Sequence, residues 1–230
     1  MCTSIVSNRK KTIIGWNLDI LNMEYRVISE RDKVYIAIHD ATEGWLPLFG
    51  ANACGDFVTM PTCWPHDERS NPTEAECRNI ILLNIDLLLG KKTLEEIKAI
   101  AEREPIFSIP GLTFQSQLSD REGNVLQIVP GQGMRYLPKP PYSVMTNFSP
   151  FKGNTPEHPW MGWDRYCRAT EILEGSCDDF DVADCFDILR QVSQTVCPTE
   201  VSMVFDVTER TVYWCEKRQW DRIQQQKINL

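Results

Sequence analysis

A cysteine stands at position 2, and this position gives it chemistry that no other cysteine of the chain shares. If Met1 is removed, Cys2 carries a thiol and a free α-amine on the same Cα atom. The pKa of such an amine is about 7.7–8.0 and that of a free thiol about 8.5, so the amine can accept the thiol proton near neutral pH. Cys2 would then supply both the nucleophile and the base of a covalent mechanism. The alternative is an ordinary second residue without a catalytic role.

Strands are predicted around Cys2, and they bring a carboxylate into the same region. Residues 2–6 and 12–20 are rich in β-forming residues and are separated by a polar turn, which is typical of a hairpin. A strand that begins at Cys2 would hold the terminus in place. Asp19 lies in an otherwise apolar strand, where a buried carboxylate needs a partner. The cationic Cys2 amine is a natural partner, although Asp19 could instead end the strand as a turn residue.

Two motifs of this hairpin resemble a known group of enzymes. Cys2–Val6, followed by Gly-x-Asn-Leu-Asp at Gly15–Asp19, is similar to the opening of the N-terminal-nucleophile hydrolases of the choloylglycine hydrolase group, which includes bile salt hydrolases, penicillin V acylases and acid ceramidase. Three later stretches resemble further motifs of the group and follow in the same order, namely Gly50–Gly55, Val144–Asn147 and Asp164–Tyr166. The resemblance implies an αββα sandwich that hydrolyses linear C–N amide bonds with a cysteine exposed as the new N-terminus.

The resemblance also implies a catalytic set, formed by Cys2, Asp19, Asn147 and Arg165. Asp19 would orient and partly neutralise the Cys2 amine. Asn147 would donate its side-chain amide to the oxyanion, where one donor is worth roughly 10²–10³-fold in rate, or it would hold the Cys2 amine. Arg165 would favour the ionised thiol. In the alternative interpretation Asn147 is a turn residue at a strand end and Arg165 is an exposed helix residue, with Arg168 competing for its role.

The sequence departs from the pattern of the group at two places. Trp16 stands where the group usually has an arginine that contacts the nucleophile, and an indole offers only one neutral donor. The stretch Met60–Pro65 lacks the asparagine that often contributes to the oxyanion site, so Thr62 or a backbone N–H would have to substitute. The predicted substrate pocket consists of Trp16, Thr62, Cys63 and Trp64.

The substrate expected from this chemistry is a small N-acylated amide, cleaved through a thioester at Cys2. Trp160, Trp163 and Tyr166 could line a pocket for the acyl group, although their spacing also suits core packing. An amine or a thiol could capture the same thioester, which would make the protein an acyltransferase. A further hypothesis, from a different class, is a catalytically impaired member of the fold that binds a ligand without turnover.

The order of the predicted elements indicates an α+β fold in a single domain over residues 1–230. Groups of strands alternate with pairs of helices, which favours stacked antiparallel layers over a doubly wound parallel sheet. Together with the resemblance, this order predicts a four-layer αββα sandwich of two antiparallel sheets flanked by helix pairs. We expect helices that begin at the capping residues Thr73 and Thr93, two later helices at 161–174 and 181–194, strand breaks at Gly50 and Gly55, and a polar tail after residue 216.

Composition excludes several classes of function. The formal net charge is -8, and phosphate binding depends on an excess of Lys and Arg, so nucleic acid is not an expected partner. No run approaches the roughly 18 apolar residues of a membrane span and no signal peptide is evident, so we expect a cytoplasmic protein. The cysteines include no Cys-x-x-Cys pair and no glycine-rich phosphate loop is present, so neither a metal nor a cofactor is expected. A homo-oligomer is compatible with the sequence.

Overall fold

The structure is a computed structural model that describes residues 1–66, 78–151 and 161–229. The predicted helix cap at Thr73 and the aromatic residue Trp160 lie outside these ranges. The strands in the described ranges, in chain order, are β1 Cys2–Asn8, β2 Thr12–Asp19, β3 Tyr25–Ser29, β4 Lys33–Asp40, β5 Gly44–Asn52, β6 Phe57–Thr59, β7 Arg78–Asn79, β8 Ile106–Phe107, β9 Ser116–Ser119, β10 Val125–Val129, β11 Gly133–Leu137, β12 Tyr142–Met145, β13 Thr199–Asp206, β14 Thr211–Glu216 and β15 Gln224–Lys227. The helices are α1 Ile80–Leu88, α2 Leu94–Arg103, α3 Trp163–Glu174 and α4 Val182–Gln191.

Two antiparallel sheets form the centre of the fold. Sheet A has the strand order β12-β1-β2-β13-β14-β15, and sheet B has the order β11-β10-β9-β6-β5-β4-β3. β1 and β2 form the predicted hairpin, in which Cys2 faces Leu18. β13 and β14 return from the end of the chain to sheet A, where β13 pairs with β2. β7 and β8 form a separate short parallel pair.

The helices cover the outer faces of the two sheets. α1 and α2 pack on sheet B, whereas α3 and α4 pack on sheet A. The predicted four-layer αββα sandwich is therefore confirmed. No helix within the described ranges has the length and apolarity needed to cross a bilayer.

Burial on both faces explains why β2 reads as an almost continuous apolar run. Alternate side chains of a strand point to opposite faces, and both faces of β2 are covered. Trp16 faces sheet B and packs on Phe49, with 5.4 Å between ring centroids. Ile13 faces the other way, into a second core under α3 and α4. The inner face of sheet A, between the two sheets, is the face that carries Cys2.

The helix start predicted at Thr93 is also confirmed. The Thr93 hydroxyl accepts a hydrogen bond from the Glu96 backbone N–H, and the Glu96 carboxylate accepts one from the Thr93 N–H at 2.8 Å. This reciprocal arrangement is a capping box, which satisfies two backbone donors at the start of α2.

Two predictions about the strands are wrong, and two strands were not predicted. Gln224–Lys227 is not a polar tail but an edge strand, because backbone hydrogen bonds to β14 hold it and do not require apolar side chains. Gly50 does not break a strand but lies within β5, where it has a positive φ of 146° and pairs with Tyr35 of β4. Tyr25–Ser29 and Gly133–Leu137 form outer strands of sheet B that the sequence did not predict, because each is only partly buried and lacks a strong apolar pattern.

Gly50→Ala is expected to lower the free energy of unfolding by about 1–3 kcal/mol. L-residues rarely adopt the φ of +146° found at this position, and a Cβ atom there would lie 2.3 Å from the Val34 carbonyl oxygen. Urea denaturation measures the change. Gly44→Ala is the matched control, because φ is +77° there but an added Cβ would meet nothing within 4 Å. Equal losses in the two variants would contradict the steric explanation.

Candidate active site

Cys2 begins β1 and lies between the two sheets, where only 4% of the residue is exposed. Its thiol accepts a hydrogen bond from the Asp19 backbone N–H. Burial raises the pKa of the thiol to about 11, although the positive chain terminus, this hydrogen bond and Arg165 act in the opposite direction. With Met1 in place the thiol is therefore protonated at neutral pH.

The nitrogen of Cys2 is held by Asn147. The Cys2 N–H donates to the Asn147 Oδ1 at 2.7 Å. Met1 precedes it, and the Met1 amine donates to the Asp19 backbone carbonyl at 2.7 Å and lies 3.9 Å from the Cys197 Sγ. In the chain that retains Met1, the contact between the terminal amine and Asp19 thus involves the backbone carbonyl and not the carboxylate.

Asn147 connects three parts of the site. Its Oδ1 accepts from the Cys2 N–H and from the Arg165 Nη2, the latter at 2.9 Å. Its Nδ2 donates to the Thr62 carbonyl at 2.6 Å, and its own carbonyl accepts from the Trp64 N–H at 2.7 Å. Of the two roles that the sequence suggested for Asn147, this geometry matches holding the Cys2 nitrogen, because one side-chain donor is already engaged by Thr62.

Arg165 reaches the site from the first turn of α3 and is only 5% exposed. Its Nη1 donates to the Cys2 carbonyl at 2.6 Å and to the Thr3 hydroxyl at 2.8 Å. The same nitrogen lies 3.7 Å from the Asp19 carboxylate. Arg168 is exposed and bonds Glu171 on its own helix, so Arg165 is the arginine that the fold directs to Cys2.

The Asp19 carboxylate ends β2 and is completely buried. It accepts hydrogen bonds from the Thr199 hydroxyl at 2.6 Å and from the Gln194 side-chain amide. Burial raises the pKa of Asp19 to about 6, although Arg165 and these two hydrogen bonds lower it. Sequence reasoning missed Thr199 and Gln194, because only the pairing of β13 with β2 places Thr199 opposite Asp19.

Trp16 occupies the position at which the sequence resemblance leads one to expect an arginine. It pairs with Ser4 on the face of sheet A that also carries Cys2, one step along that face from Leu18. It is completely buried, and its Nε1 finds no hydrogen-bond partner among the residues that the structure describes. Trp16 therefore brings an apolar surface and an unpaired neutral donor to this face, with no positive charge.

The segment 62–64 lies beside Asn147, and its role in a substrate pocket stays a prediction. Cys63 is buried and its N–H donates to the Thr113 carbonyl at 2.7 Å, whereas Trp64 is 37% exposed. Because the Trp64 N–H is taken by the Asn147 carbonyl, Thr62 is the residue of this segment that is left as a candidate oxyanion donor.

An aromatic cluster adjoins the site on the side of α3. Phe148, the neighbour of Asn147, lies 5.5 Å from Trp163 and 5.2 Å from Tyr166 between ring centroids. Trp163 and Tyr166 stack at 5.5 Å, and 42% of Trp163 is exposed. Tyr166 packs against the core under α3 and α4, so the cluster extends from that core to the surface. The sequence did not indicate Phe148 as a member.

Comparison with solved structures places this geometry in a known fold. A cysteine-to-alanine variant of conjugated bile acid hydrolase from Clostridium perfringens has a TM-score of 0.68 and 16% identity, with 99% of this chain and 92% of that chain covered. Penicillin V acylase from Agrobacterium tumefaciens has a TM-score of 0.63 and 14% identity, covering 94% and 83% of the two chains. A Caenorhabditis elegans ortholog of N-acylethanolamine-hydrolyzing acid amidase has a TM-score of 0.62 and 19% identity, covering 90% and 93%.

The chain has the fold of these hydrolases. The resemblance noted in the sequence is thus confirmed at the level of the fold. No family model matches the sequence, and no curated protein matches it in a sequence search. Within the hydrolase fold, the four residues of the predicted catalytic set lie together at the start of β1, linked by the contacts of Asn147 and Arg165.

Gly162→Ala is expected to displace Arg165 and to lower the free energy of unfolding by about 1–3 kcal/mol. Gly162 caps α3 with a φ of +72°, and a Cβ there would lie 2.2 Å from the Arg165 Nη2. Gly175→Ala, at the other end of the same helix, is the control, because its added Cβ would meet the Glu171 carbonyl at an ordinary 3.6 Å. Urea denaturation compares the two variants. If Gly162→Ala were as stable as Gly175→Ala, the close packing of Arg165 against Gly162 would not contribute to stability.

The buried Asp19 predicts a particular pH dependence of stability. Its pKa is about 6 in the folded state against an ordinary 3.8, so the folded chain binds more protons than the unfolded chain between these values. The free energy of unfolding should therefore fall as pH rises from about 4 to about 7, by roughly 3 kcal/mol relative to Asp19→Asn. Urea titrations of both proteins at several pH values measure this difference. If the difference did not change with pH, burial would not destabilise the ionised Asp19 carboxylate.

Proposed function

We propose that the protein is a hydrolase that cleaves a linear C–N amide bond of an N-acylated small molecule, with Cys2 as an N-terminal nucleophile. The observation that carries this proposal is the contact between the Cys2 N–H and the Asn147 Oδ1 at 2.7 Å. An ordinary strand residue donates such an N–H to a neighbouring strand. Here a side chain holds it, and the nitrogen becomes the α-amine once Met1 is removed.

The reaction follows from the groups around Cys2. The amine takes the thiol proton, and the sulfur attacks the carbonyl carbon of the amide. Collapse of the tetrahedral intermediate breaks the C–N bond, and the amine passes its proton to the leaving nitrogen. Water then attacks the thioester, its proton passing through the amine to the departing sulfur. The acid is released, and the Cys2 thiol is regenerated.

The neighbouring residues stabilise the charges that form during this reaction. Asn147 keeps the amine beside the sulfur, and Arg165 fixes the Cys2 carbonyl while placing a positive charge near the thiolate. The Asp19 carboxylate lies 3.7 Å from the Arg165 Nη1 and balances the positive charge of the guanidinium. We assign oxyanion stabilisation to Thr62, which the Asn147 amide binds through its carbonyl.

Removal of Met1 is central to the proposal because it changes the electrostatics of the sulfur. With Met1 in place the terminal charge already lowers the pKa of the Cys2 thiol, but burial outweighs it and the pKa is about 11. Removal moves the positive charge onto the nitrogen of Cys2 itself, closer to the sulfur. A shorter distance strengthens the Coulomb interaction and favours the thiolate.

A second candidate function is ligand binding without turnover. Trp16 brings no positive charge to the nucleophile, and its buried Nε1 is unpaired within the described part of the chain. Both features favour a site that binds without activating the thiol. Turnover by the processed chain separates the two functions.

The proposal predicts that activity depends on a free Cys2 amine. The chain is produced with a removable N-terminal tag whose cleavage leaves Cys2 first, and it is tested with bile salts, penicillin V, acyl-homoserine lactones and N-acyl amino acids. Activity and an acylated Cys2, measured by intact mass, are expected only after cleavage. Cys2→Ala should reduce kcat to the background, because loss of a catalytic nucleophile costs on the order of 10⁶-fold.

Cys177→Ala is the control for this experiment, because Cys177 is an exposed free cysteine on the loop between α3 and α4. It should keep full activity. If the tagged and processed chains turned over substrate equally, the amine would not be the base. If the processed chain bound an acyl amide but never became acylated, the ligand-binding function would replace the proposed one.

A further inference from the structure

Gln115 lies just before β9 and is tied to the segment that carries Thr62. The Gln115 backbone N–H donates to the Pro61 carbonyl at 2.9 Å, and Thr62 itself forms an antiparallel bridge with Phe114. The Thr62 carbonyl is the acceptor of the Asn147 side chain. The backbone of Gln115 is therefore fixed to one side of the Asn147 contact.

The side chain of Gln115 reaches the other side of that contact. Its Nε2 donates to the Thr146 carbonyl at 2.8 Å and to the Phe148 carbonyl at 3.2 Å, the two carbonyls that flank Asn147. Gln115 is completely buried, and its Oε1 has no partner among the described residues. A buried acceptor without a partner costs free energy. The two hydrogen bonds that the Nε2 donates to the backbone offset this cost and hold the Gln115 amide in place.

We infer that Gln115 is a positioning residue that holds Asn147 against the Cys2 nitrogen. The inference rests on the proposed function, because that function gives the contact between Asn147 and Cys2 its catalytic meaning. Gln115 and Asn147 together close a ring of hydrogen bonds through Thr62 and the backbone around Asn147. This ring adds to the restraints that the pairing of β1 with β12 and the contact with Arg165 place on the Asn147 Oδ1.

Loss of the Gln115 donors would free residues 146–148 to shift. The Asn147 Oδ1 would move with them, and the amine that it holds would lose its alignment with the sulfur. Misplacement of a reacting group by about 1 Å can cost on the order of 10²-fold in rate. The loss should appear in kcat and much less in KM, because no substrate contact is removed.

Gln115→Met removes the donors and keeps the length of the side chain. We expect kcat of the processed chain to fall by about 10–100-fold with KM little changed. Asn52→Leu is the matched control, because the buried Asn52 amide also donates to two backbone carbonyls, those of Leu87 at 2.9 Å and Leu88 at 3.4 Å. It should lose stability but keep the kcat of the folded fraction. A wild-type kcat in Gln115→Met would overturn the inference.

Gln115→Glu tests the donors directly through pH. A neutral carboxyl can donate to one of the two carbonyls, whereas a carboxylate repels both. Burial raises the pKa of a carboxyl, so the ratio of variant to wild-type kcat should rise as pH falls from about 8 to about 5. Taking the ratio cancels the pH dependence of Asp19. A flat ratio would mean that hydrogen bonding by residue 115 does not matter to the reaction.

A measurement that needs no turnover separates the inference from the proposed function. The side-chain amide resonance of Asn147, assigned by its loss in Asn147→Asp, should shift in Gln115→Met and stay in place in Asn52→Leu. A shift in a chain that turns over no amide would refute the proposed function and leave the positioning intact. An unshifted resonance would refute the positioning even in an active enzyme.

Discussion

The contact between the Cys2 nitrogen and the Asn147 Oδ1 is the constraint on which the rest of the site depends. The register of β1 and β12 sets it: Ser4 pairs with Met145, so Cys2 and Asn147 lie two residues beyond that pair, on the same side of it. A slip of one residue would turn each side chain to the other face of the sheet. Cys2 and Asn147 are 145 positions apart in sequence, and they meet because β1 and β12 pair in this register.

Two buried charges are retained beside this contact, and their hydrogen bonds explain how. Isolated charges in an interior are costly, and a pair is tolerated only when the remaining donors and acceptors are satisfied. Arg165 is satisfied by the Cys2 carbonyl, Thr3 and Asn147. Asp19 is satisfied by residues of the segment 194–199, and its pKa of about 6 shows that burial still outweighs them. Such a balance is typical of sites that carry chemistry.

The sequence predicted the layers and the residues of the candidate site, but not the contacts that hold them. Cys2 and Asp19 could be singled out because a terminal thiol and a carboxylate in an apolar strand are each unusual locally. Gln194, Thr199 and Gln115 are ordinary polar residues, and they matter only through long-range pairing of strands and loops. Edge strands such as Gln224–Lys227 were missed for the same reason, since backbone pairing defines them and their side chains do not.

Trp16 makes the surroundings of the Cys2 sulfur less positive than an arginine at this position would. An arginine at this position would lower the pKa of the thiol from within the core, whereas the indole only adds apolar surface there. Besides Arg165, the positive group that acts on the Cys2 sulfur is the chain terminus. The proposed reaction therefore depends more on the amine of Cys2 than it would with a second guanidinium. Processing of the terminus would then act as the step that converts a protonated, buried thiol into a nucleophile.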